Sequence, residues 1–338
     1  MKKFCLFMFL LFVSRMLFSQ ETDINTVVSA AESGNVEAMW ELGERYWDGK
    51  GIEVSQEKAW QWWKKAAETG LAEDQLDYAI RIKELGLHAD EEENNKEAFS
   101  WIKKAAENGS LSAMAALGNC YRNGDGVKAD IKIALEWYQK AAQKRDPDAL
   151  YALGELYEEG EGVEQSMAQA TYYYGLAAEL GNEKAMFALG YMYLEGLGVK
   201  KDLAKSIELL KKAAQADHAE AQFQLARCYT EGVGVEKNDV AAAKWLKKAV
   251  GQEHFSSFYY LADAYAEGRG VQKNLVKAYV LLRQLEGYEP QDEEEKEILR
   301  VSGELLSKIK VQMSSKQLEQ AEKEIAQAAV FEDSGENF

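Results

Sequence analysis

The sequence predicts an all-α protein built as a solenoid of stacked helix hairpins. The first observation is a repeat period of 36 residues, with one interval of 39, for segments that begin at Gly34, Gly70, Gly109, Arg145, Gly181, Asp217 and Glu253. The second is a leucine followed four residues later by a tyrosine in six of these segments. The third is a spacing of three and four between apolar residues on both sides of a glycine-containing loop, which indicates two amphipathic helices. One such hairpin buries too little apolar surface to be stable alone, so the segments must stack.

Each element of the repeat has a structural reason. The first helix carries a small residue after the leucine, such as Gly43 or Gly118. Because glycine weakens a helix, its recurrence indicates close approach of a neighbouring helix. A pair of glycines follows, as in Gly124 and Gly126, and one of them suits a left-handed helix end. No strand precedes these glycines and no Gly-Lys-Ser/Thr follows them, which argues against a phosphate-binding loop. The second helix then sets bulky residues one turn before an Ala-Ala pair, as interdigitating layers require.

The repeated pattern A-x-x-x-L-G-x-x-Y-x-x-G-x-G-V, followed by A-x-x-W and K-A-A, resembles the Sel1-like repeat, a relative of the tetratricopeptide repeat. The resemblance implies a right-handed superhelical α-solenoid that acts as a non-catalytic interaction scaffold. The second unit departs from the pattern, because Asp74, Tyr78 and Ile82 replace the small residue, the leucine and the tyrosine. The seven units are predicted at 34–69, 70–108, 109–144, 145–180, 181–216, 217–252 and 253–288.

The segments outside the repeats have distinct characters. Residues 1–19 combine two lysines with a short apolar run, which is typical of a secretory signal and too short for a membrane span. Cleavage would export the chain to the periplasm or beyond the cell, and an uncleaved segment would anchor it to a membrane instead. We expect an N-terminal capping helix at 20–33, C-terminal capping helices at 289–330 and a disordered tail at 331–338.

The formal net charge of −17 disfavours nucleic acid, because an acidic surface repels phosphate backbones. Two interpretations of this charge remain open: a solvated surface that keeps the protein soluble, and attraction of a basic partner. The acidic run at 90–93 lacks the alternating ligands and central glycine of a calcium loop, so we expect a solvated loop there.

The sequence offers no catalytic, cofactor or metal site. Cys120 and Cys228 lie three repeats apart, too far for a disulfide, and are predicted to be buried thiols. Some secreted Sel1-like proteins carry a cysteine pair in every repeat, and the resemblance to them would imply binding or hydrolysis of cell-wall-like compounds. This chain lacks those pairs. His218 and His254 share one offset at unit starts and are interpreted as loop residues.

A superposition on the tetratricopeptide repeat predicts which residues face the concave groove. They lie two residues before the repeated leucine, two after it and just after the tyrosine: Trp40, Glu44, Trp47, Tyr151, Glu155, Glu158, Phe187, Tyr191, Leu194, Phe223, Arg227 and Thr230. Trp47 and Tyr191 are the favoured partner anchors, with Trp40 beside them, because exposed aromatic residues dominate many protein interfaces. The alternative for Tyr151, Phe187 and Phe223 is packing between repeats alone.

These observations favour a monomeric, exported, non-catalytic scaffold that binds a protein or peptide along its groove and needs no cofactor. Two other functions remain open: an envelope protein that binds or hydrolyses cell-wall fragments, and a purely structural assembly module.

Overall fold

A computed structural model describes the backbone of residues 22–333 and the side chains of residues 22–327. Over this range the chain forms seventeen α-helices and no strand, which confirms the predicted all-α solenoid class. None of these helices is both long and apolar enough to cross a membrane. The chain divides into two compact units between Asn182 and Glu183.

The N-terminal unit contains one leading helix and four helix hairpins, in which each helix packs on the next. Its helices are α1 Ile24–Glu32, α2 Val36–Asp48, α3 Gln56–Thr69, α4 Ala72–Arg81, α5 Glu91–Glu107, α6 Leu111–Asn123, α7 Ile131–Gln143, α8 Pro147–Glu159 and α9 Met167–Glu179. One apolar core runs through the unit, and its largest buried side chains include Trp63, Tyr78, Tyr138 and Tyr174.

The C-terminal unit contains three hairpins followed by two longer helices. Its helices are α10 Glu183–Glu195, α11 Leu203–Gln215, α12 Ala219–Glu231, α13 Asp239–Val250, α14 Phe255–Glu267, α15 Leu275–Arg283, α16 Glu293–Gln312 and α17 Ser315–Asp333. Helices α16 and α17 both pack on α15, so they cover the last hairpin. The repeat rhythm therefore ends in a cap of different length, as a solenoid end requires.

Local sequence sets where the helices begin and end. Side chains such as Ser110 and Asp146 accept hydrogen bonds from the amide three residues later and so start α6 and α8. Gly124 and Gly160 close the same helices in the left-handed conformation, at φ of 84° and 73°. The predicted role of one glycine in each loop pair is confirmed at these positions.

The small residues of the first helices allow the close contacts that the sequence predicts. A Cβ atom added to Gly118 would lie 2.5 Å from the ring of Tyr138, and one added to Gly154 would lie 2.5 Å from the ring of Tyr174. Because real Cβ atoms do not approach so closely, only glycine lets these tyrosine rings pack directly against the first helix.

The second hairpin differs from the sequence interpretation. Helix α4 passes into a π-helical turn, Ile82–Gly86, where the other units have their glycine pair. The acidic run at 90–93 is not a loop, because Asp90 caps α5 and accepts a hydrogen bond from the Glu93 amide. The following glutamates lie in the first turn of α5, where the positive end of the helix dipole stabilises their charge.

The terminal segments are described in part. Helix α1 lies within the segment expected to cap the repeats, and α2 contacts the chain before it through a hydrogen bond from Arg45 Nη1 to the Thr22 carbonyl oxygen. At the other end Ser314 and Gln317 form a reciprocal capping box at the start of α17. That helix continues to Asp333, three residues past its expected end. The predicted signal at 1–19 and residues 334–338 of the predicted tail lie outside the described residues.

Candidate partner-binding groove

The C-terminal unit carries a groove of about 730 Å³. The first helices of two successive repeats, α10 and α12, form its wall, and the start of α14 and the segment that leads into α16 close it. Its position follows from the repeat, because equivalent faces of successive first helices point to the same side of a stack of hairpins.

Four of the residues predicted to bind a partner line this groove. Tyr191 is 39% exposed, whereas Leu194 and Phe223 are buried and form the apolar floor. Arg227 lies one turn after Phe223, with its guanidinium carbon 6.0 Å from the centre of the Phe223 ring. Thr230 instead donates its hydroxyl hydrogen bond to the Ala226 carbonyl oxygen of its own helix. The structure thus brings Tyr191, Leu194, Phe223 and Arg227 together.

Stacked phenylalanine and histidine rings link successive repeats beside the groove. The ring of Phe187 stacks on His218 at 4.9 Å, and one repeat later Phe223 packs on His254 at 4.8 Å. Both histidines, interpreted from the sequence as loop residues, lie just before helices α12 and α14 at their N-cap positions. His218 Nδ1 accepts a hydrogen bond from the Ala221 amide. Packing between repeats therefore accounts for Phe187 and Phe223.

A hydrogen bond between a histidine and a glutamate lies on the groove wall. His254 Nε2 is 2.7 Å from Glu220 Oε2, and Gln224 donates to the other oxygen of the same carboxylate. Burial opposes the charge of Glu220, but the hydrogen bonds from His254 and Gln224 and the charges of His254 and His218 together outweigh it, so the pKa of the Glu220 carboxyl falls below its ordinary value of 4.5. Glu220 is thus ionised at neutral pH and holds the His254 ring against Phe223.

The remaining polar lining is mainly acidic. Seven lining residues carry carboxylates, and two, Lys201 and Arg227, carry permanent positive charges. Arg227 lies 3.8 Å from the Glu231 carboxylate on its own helix. At the far end Asp292 caps α16 and Glu295 accepts hydrogen bonds from the Tyr288 hydroxyl and the Gln291 amide. The groove therefore presents a negative surface with aromatic rings set into it.

The thiol that borders the groove is not arranged as a nucleophile. Cys228 is 4% exposed, and burial raises its pKa to about 11, so the sulfur keeps its proton at neutral pH. Cys120 is also buried and unpaired, with its pKa likewise raised to about 11 by burial. The prediction of two buried thiols is confirmed. Between residues 22 and 327, no group of three or more histidine, cysteine, aspartate or glutamate side chains is placed to hold a metal ion.

The predicted residues near the start of the N-terminal unit are engaged within the chain. Trp40 is 3% exposed, and its indole nitrogen donates a hydrogen bond of 2.8 Å to Asp74 Oδ1. Glu44 forms an ion pair with Arg81. Trp47 is half-buried and packs against Trp60 and Trp63. Trp40 has therefore no free face for a partner, while the use of Trp47 as an anchor stays a prediction.

The predicted residues on α8 belong to a second internal network. Arg122 on α6 contacts the carboxylates of Glu155, Glu159 and Glu161 at distances of 2.6–3.1 Å. The Tyr174 hydroxyl donates a hydrogen bond to Glu158, and the ring of Tyr151 packs against Tyr174 at 5.5 Å. Burial and the neighbouring carboxylates raise the pKa of both tyrosines. These side chains hold neighbouring helices together rather than line an open cleft.

Several groove residues were not singled out from sequence. Tyr288 ends the seventh predicted unit, at a position that is not aromatic in the other units, and Asp292 follows that unit, so the repeat pattern marks neither. Tyr288 nevertheless stacks on Phe255 at 4.1 Å and extends the groove. The sequence indicates the position of His254 only in part, and it does not indicate that Glu220 contacts it. The shared offset of His218 and His254 is visible in the sequence, and the phenylalanine 31 residues before each of them is the signal that could have revealed the stacking.

The chain is similar to known repeat proteins. The sequence profile of the Sel1 repeat matches residues 36–71, 72–110, 111–146, 147–182, 183–218, 219–254 and 259–285. A crystal structure of a Sel1 repeat protein from Oxalobacter formigenes is 30% identical, with a TM-score of 0.67, over 85% of this chain and 80% of that protein. A protective antigen of uropathogenic Escherichia coli strains that displays an SLR fold is 24% identical, with a TM-score of 0.45, over 89% and 85% of the two chains. The immunity protein Pa5087 from Pseudomonas aeruginosa is 23% identical, with a TM-score of 0.43, over 70% and 81%. No curated protein matches the chain.

Proposed function

Because this chain belongs to the Sel1 repeat family, whose members are generally scaffolds for protein–protein interaction, we propose that it is an exported, monomeric scaffold that binds a partner protein or peptide through the groove of its C-terminal unit. The family explains why a chain of this kind has an interaction surface. On this chain, the groove is the surface where we propose that the partner binds.

One observation carries the proposal. Side chains from two successive repeats, Tyr191 and Leu194 on α10 and Phe223 and Arg227 on α12, converge on one open groove. Aromatic rings and arginine are the residue types that dominate the binding energy of protein interfaces. The 39% exposure of Tyr191 leaves an aromatic ring beside the apolar floor without burying it in the fold.

The non-catalytic and exported parts of the proposal have separate support. Both described thiols are buried, and burial raises the pKa of each to about 11, so neither is arranged as a nucleophile. Export rests on the charged and apolar pattern of residues 1–19. If that segment is not cleaved, the same scaffold is anchored to a membrane.

The test is affinity capture from an envelope extract with the intact chain, followed by mass spectrometry. We expect a defined protein to be retained by the parent chain and reduced by at least about tenfold with Tyr191→Ala, the loss of one interface anchor. The matched control is Tyr172→Ala, because Tyr172 is 59% exposed on the second helix of an N-terminal repeat. That variant should capture the partner at the parent level.

Equal capture by both variants would contradict the groove as the binding site. Hydrolysis of cell-wall fragments by the purified chain would contradict the non-catalytic assignment. Circular dichroism of each variant establishes that a lost partner reflects the altered side chain and not loss of the fold.

A further inference from the structure

We infer that the occupant of this groove is a basic polypeptide segment, whose lysine or arginine side chains pair with carboxylates and lie against tyrosine rings. This inference rests on the proposed function and names the chemistry of its partner. It follows from the charge of the groove, from which charges are already paired, and from the exposed aromatic rings.

The lining has an unbalanced charge. Seven carboxylates face two permanent positive charges, in a chain whose formal net charge is −17. Three of these carboxylates, on Glu195, Glu253 and Glu294, form neither an ion pair nor a side-chain hydrogen bond with any residue between 22 and 327. A positively charged partner would gain three favourable contacts without breaking an internal one. An acidic partner would meet repulsion along the same surface.

The positive groups of the groove are already occupied in part. Arg227 lies near Glu231 and over the ring of Phe223, and His254 is hydrogen-bonded to Glu220. A partner carboxylate would have to compete with these internal contacts. Lys201 forms no ion pair with any residue between 22 and 327, so one available positive charge stands against three available carboxylates, and the net charge left for a partner is negative.

The exposed rings suit the same partner. Tyr191 is 39% and Tyr288 41% exposed, and Tyr288 has one face covered by Phe255 while its other contacts leave part of the ring open. A guanidinium or ammonium group over a tyrosine ring gains cation–π attraction, which adds to pairing with a nearby carboxylate. The chain uses this contact internally, for example between Lys205 and the Tyr193 ring at 5.2 Å.

The size of the groove favours a polypeptide over a small cation. A volume of about 730 Å³ has room for several side chains, and the apolar floor of Leu194 and Phe223 calls for apolar groups next to the charged ones. The carboxylates are not clustered as metal ligands anywhere in the described side chains. Basic and apolar groups on one flexible chain match both properties of the surface.

The experiment is selection of random twelve-residue peptides displayed on phage against the full chain, followed by fluorescence anisotropy with a labelled selected peptide. We expect the selected peptides to carry more lysine and arginine than aspartate and glutamate. The combined variant Glu195→Gln, Glu253→Gln and Glu294→Gln should weaken binding by at least about tenfold, and salt raised to about 0.5 M should weaken it as well, because both remove charge attraction. The matched control, Glu136→Gln with Glu164→Gln and Glu179→Gln, removes the same charge from exposed positions of the N-terminal unit and should change binding by less than about twofold.

Each outcome separates this inference from the proposed function. Selection of neutral or acidic peptides whose binding is lost with Tyr191→Ala would overturn the basic occupant and leave the groove as a binding site. Equal weakening of peptide binding by the two triple variants would show that only general charge attraction acts, and would also overturn the basic occupant. Displacement of the peptide by spermine at equal charge would do the same. Failure to select any peptide, together with unchanged protein capture by Tyr191→Ala, would overturn both.

Discussion

The same repeat positions have opposite uses in the two units. In the N-terminal unit the side chain two residues after the repeated leucine is paired inside the chain, as Glu44 is with Arg81 and Glu155 is with Arg122. In two repeats of the C-terminal unit that position holds Tyr191 and Arg227, which line an open groove, whereas Asp263 in the third is paired with Arg269. The repeat offset thus sets the direction in which a side chain points, and the residue on the neighbouring repeat decides whether it is free for a partner.

The two units also differ in how tightly the glycine of the first helix is packed. In the N-terminal unit an aromatic ring packs directly against the first-helix glycine of three repeats, Gly43, Gly118 and Gly154, as Tyr174 does against Gly154. In the C-terminal unit the equivalent glycine, Gly190, faces the aliphatic Leu210, and an added Cβ would lie 3.2 Å from it instead of 2.5 Å. A methyl group at Gly154 would therefore overlap the ring of Tyr174, whereas a methyl group at Gly190 would need only a small movement of Leu210.

The largest effect is expected from the same substitution at these two glycines. Gly154→Ala should reduce the free energy of unfolding by about 2–3 kcal/mol, because its new methyl group would overlap the buried ring of Tyr174. Gly190→Ala should change it by less than about 1 kcal/mol, because the gain in helix propensity offsets a mild contact with Leu210. Urea unfolding followed by circular dichroism measures both. Equal losses would show that the two units are packed equally tightly.

A smaller loss of stability is expected from substitution of Trp40, which the sequence analysis placed in the groove and which is buried in the structure. Trp40→Phe removes the hydrogen bond to Asp74 and leaves a buried carboxylate oxygen without that donor, at a cost of about 1–2 kcal/mol. Trp62→Phe is the control, because Trp62 is only half-buried on a second helix. A thermal midpoint that falls equally in both variants would contradict the structural role assigned to Trp40.

The charge network of the N-terminal unit should have an effect of about 1 kcal/mol. Arg122→Gln leaves three carboxylates, those of Glu155, Glu159 and Glu161, without their shared cation, so stability should fall by about 1 kcal/mol at low salt and by less at high salt. Arg227→Gln removes one long ion pair from the groove and should change stability by less than about 0.5 kcal/mol. Chemical unfolding at two salt concentrations tests the contrast. Equal effects of the two arginines would remove the distinction between a paired and an open surface.

Sequence reasoning reached the fold because the repeat is a local and periodic signal. The spacing of Leu117 and Tyr121, the position of Gly124 and the bulk of Tyr138 each record a contact made within one unit or with the next, and repetition makes these signals visible. The structure of the second hairpin was not predicted, because its distinctive residues occur only once in the chain. Its π-helical turn at Ile82–Gly86 replaces a glycine pair, and no periodic neighbour marks the change.

The candidate site was only partly predictable for a different reason. The offset from the leucine identified Tyr191 and Arg227 as outward-facing, but it applied equally to Glu44 and Glu155. Whether such a residue is paired depends on a side chain 33 to 37 residues away, at a rotamer that the sequence does not specify. Tyr288 ends the last predicted unit at a position that is not aromatic in the other units, so only the folded chain shows that it reaches the groove.

The smallest expected effect concerns the titration of the groove wall. The pKa of Glu220 lies below its ordinary value of 4.5 although burial raises it, because the hydrogen bonds from His254 and Gln224 and the charges of His254 and His218 together outweigh burial. The resulting stabilisation is complete above the pKa of the unfolded chain and is lost as the pH falls through the lower folded-state pKa. His254→Phe keeps an aromatic ring against Phe223 but removes the hydrogen bond, so burial should then raise the Glu220 titration midpoint above that of the parent chain. Carboxyl NMR from pH 6 to pH 2 follows this midpoint. His218→Phe should move it less, because His218 acts on Glu220 only through its more distant charge, and an equal shift in the two variants would show that the direct contact with His254 does not set the ionisation of the groove wall.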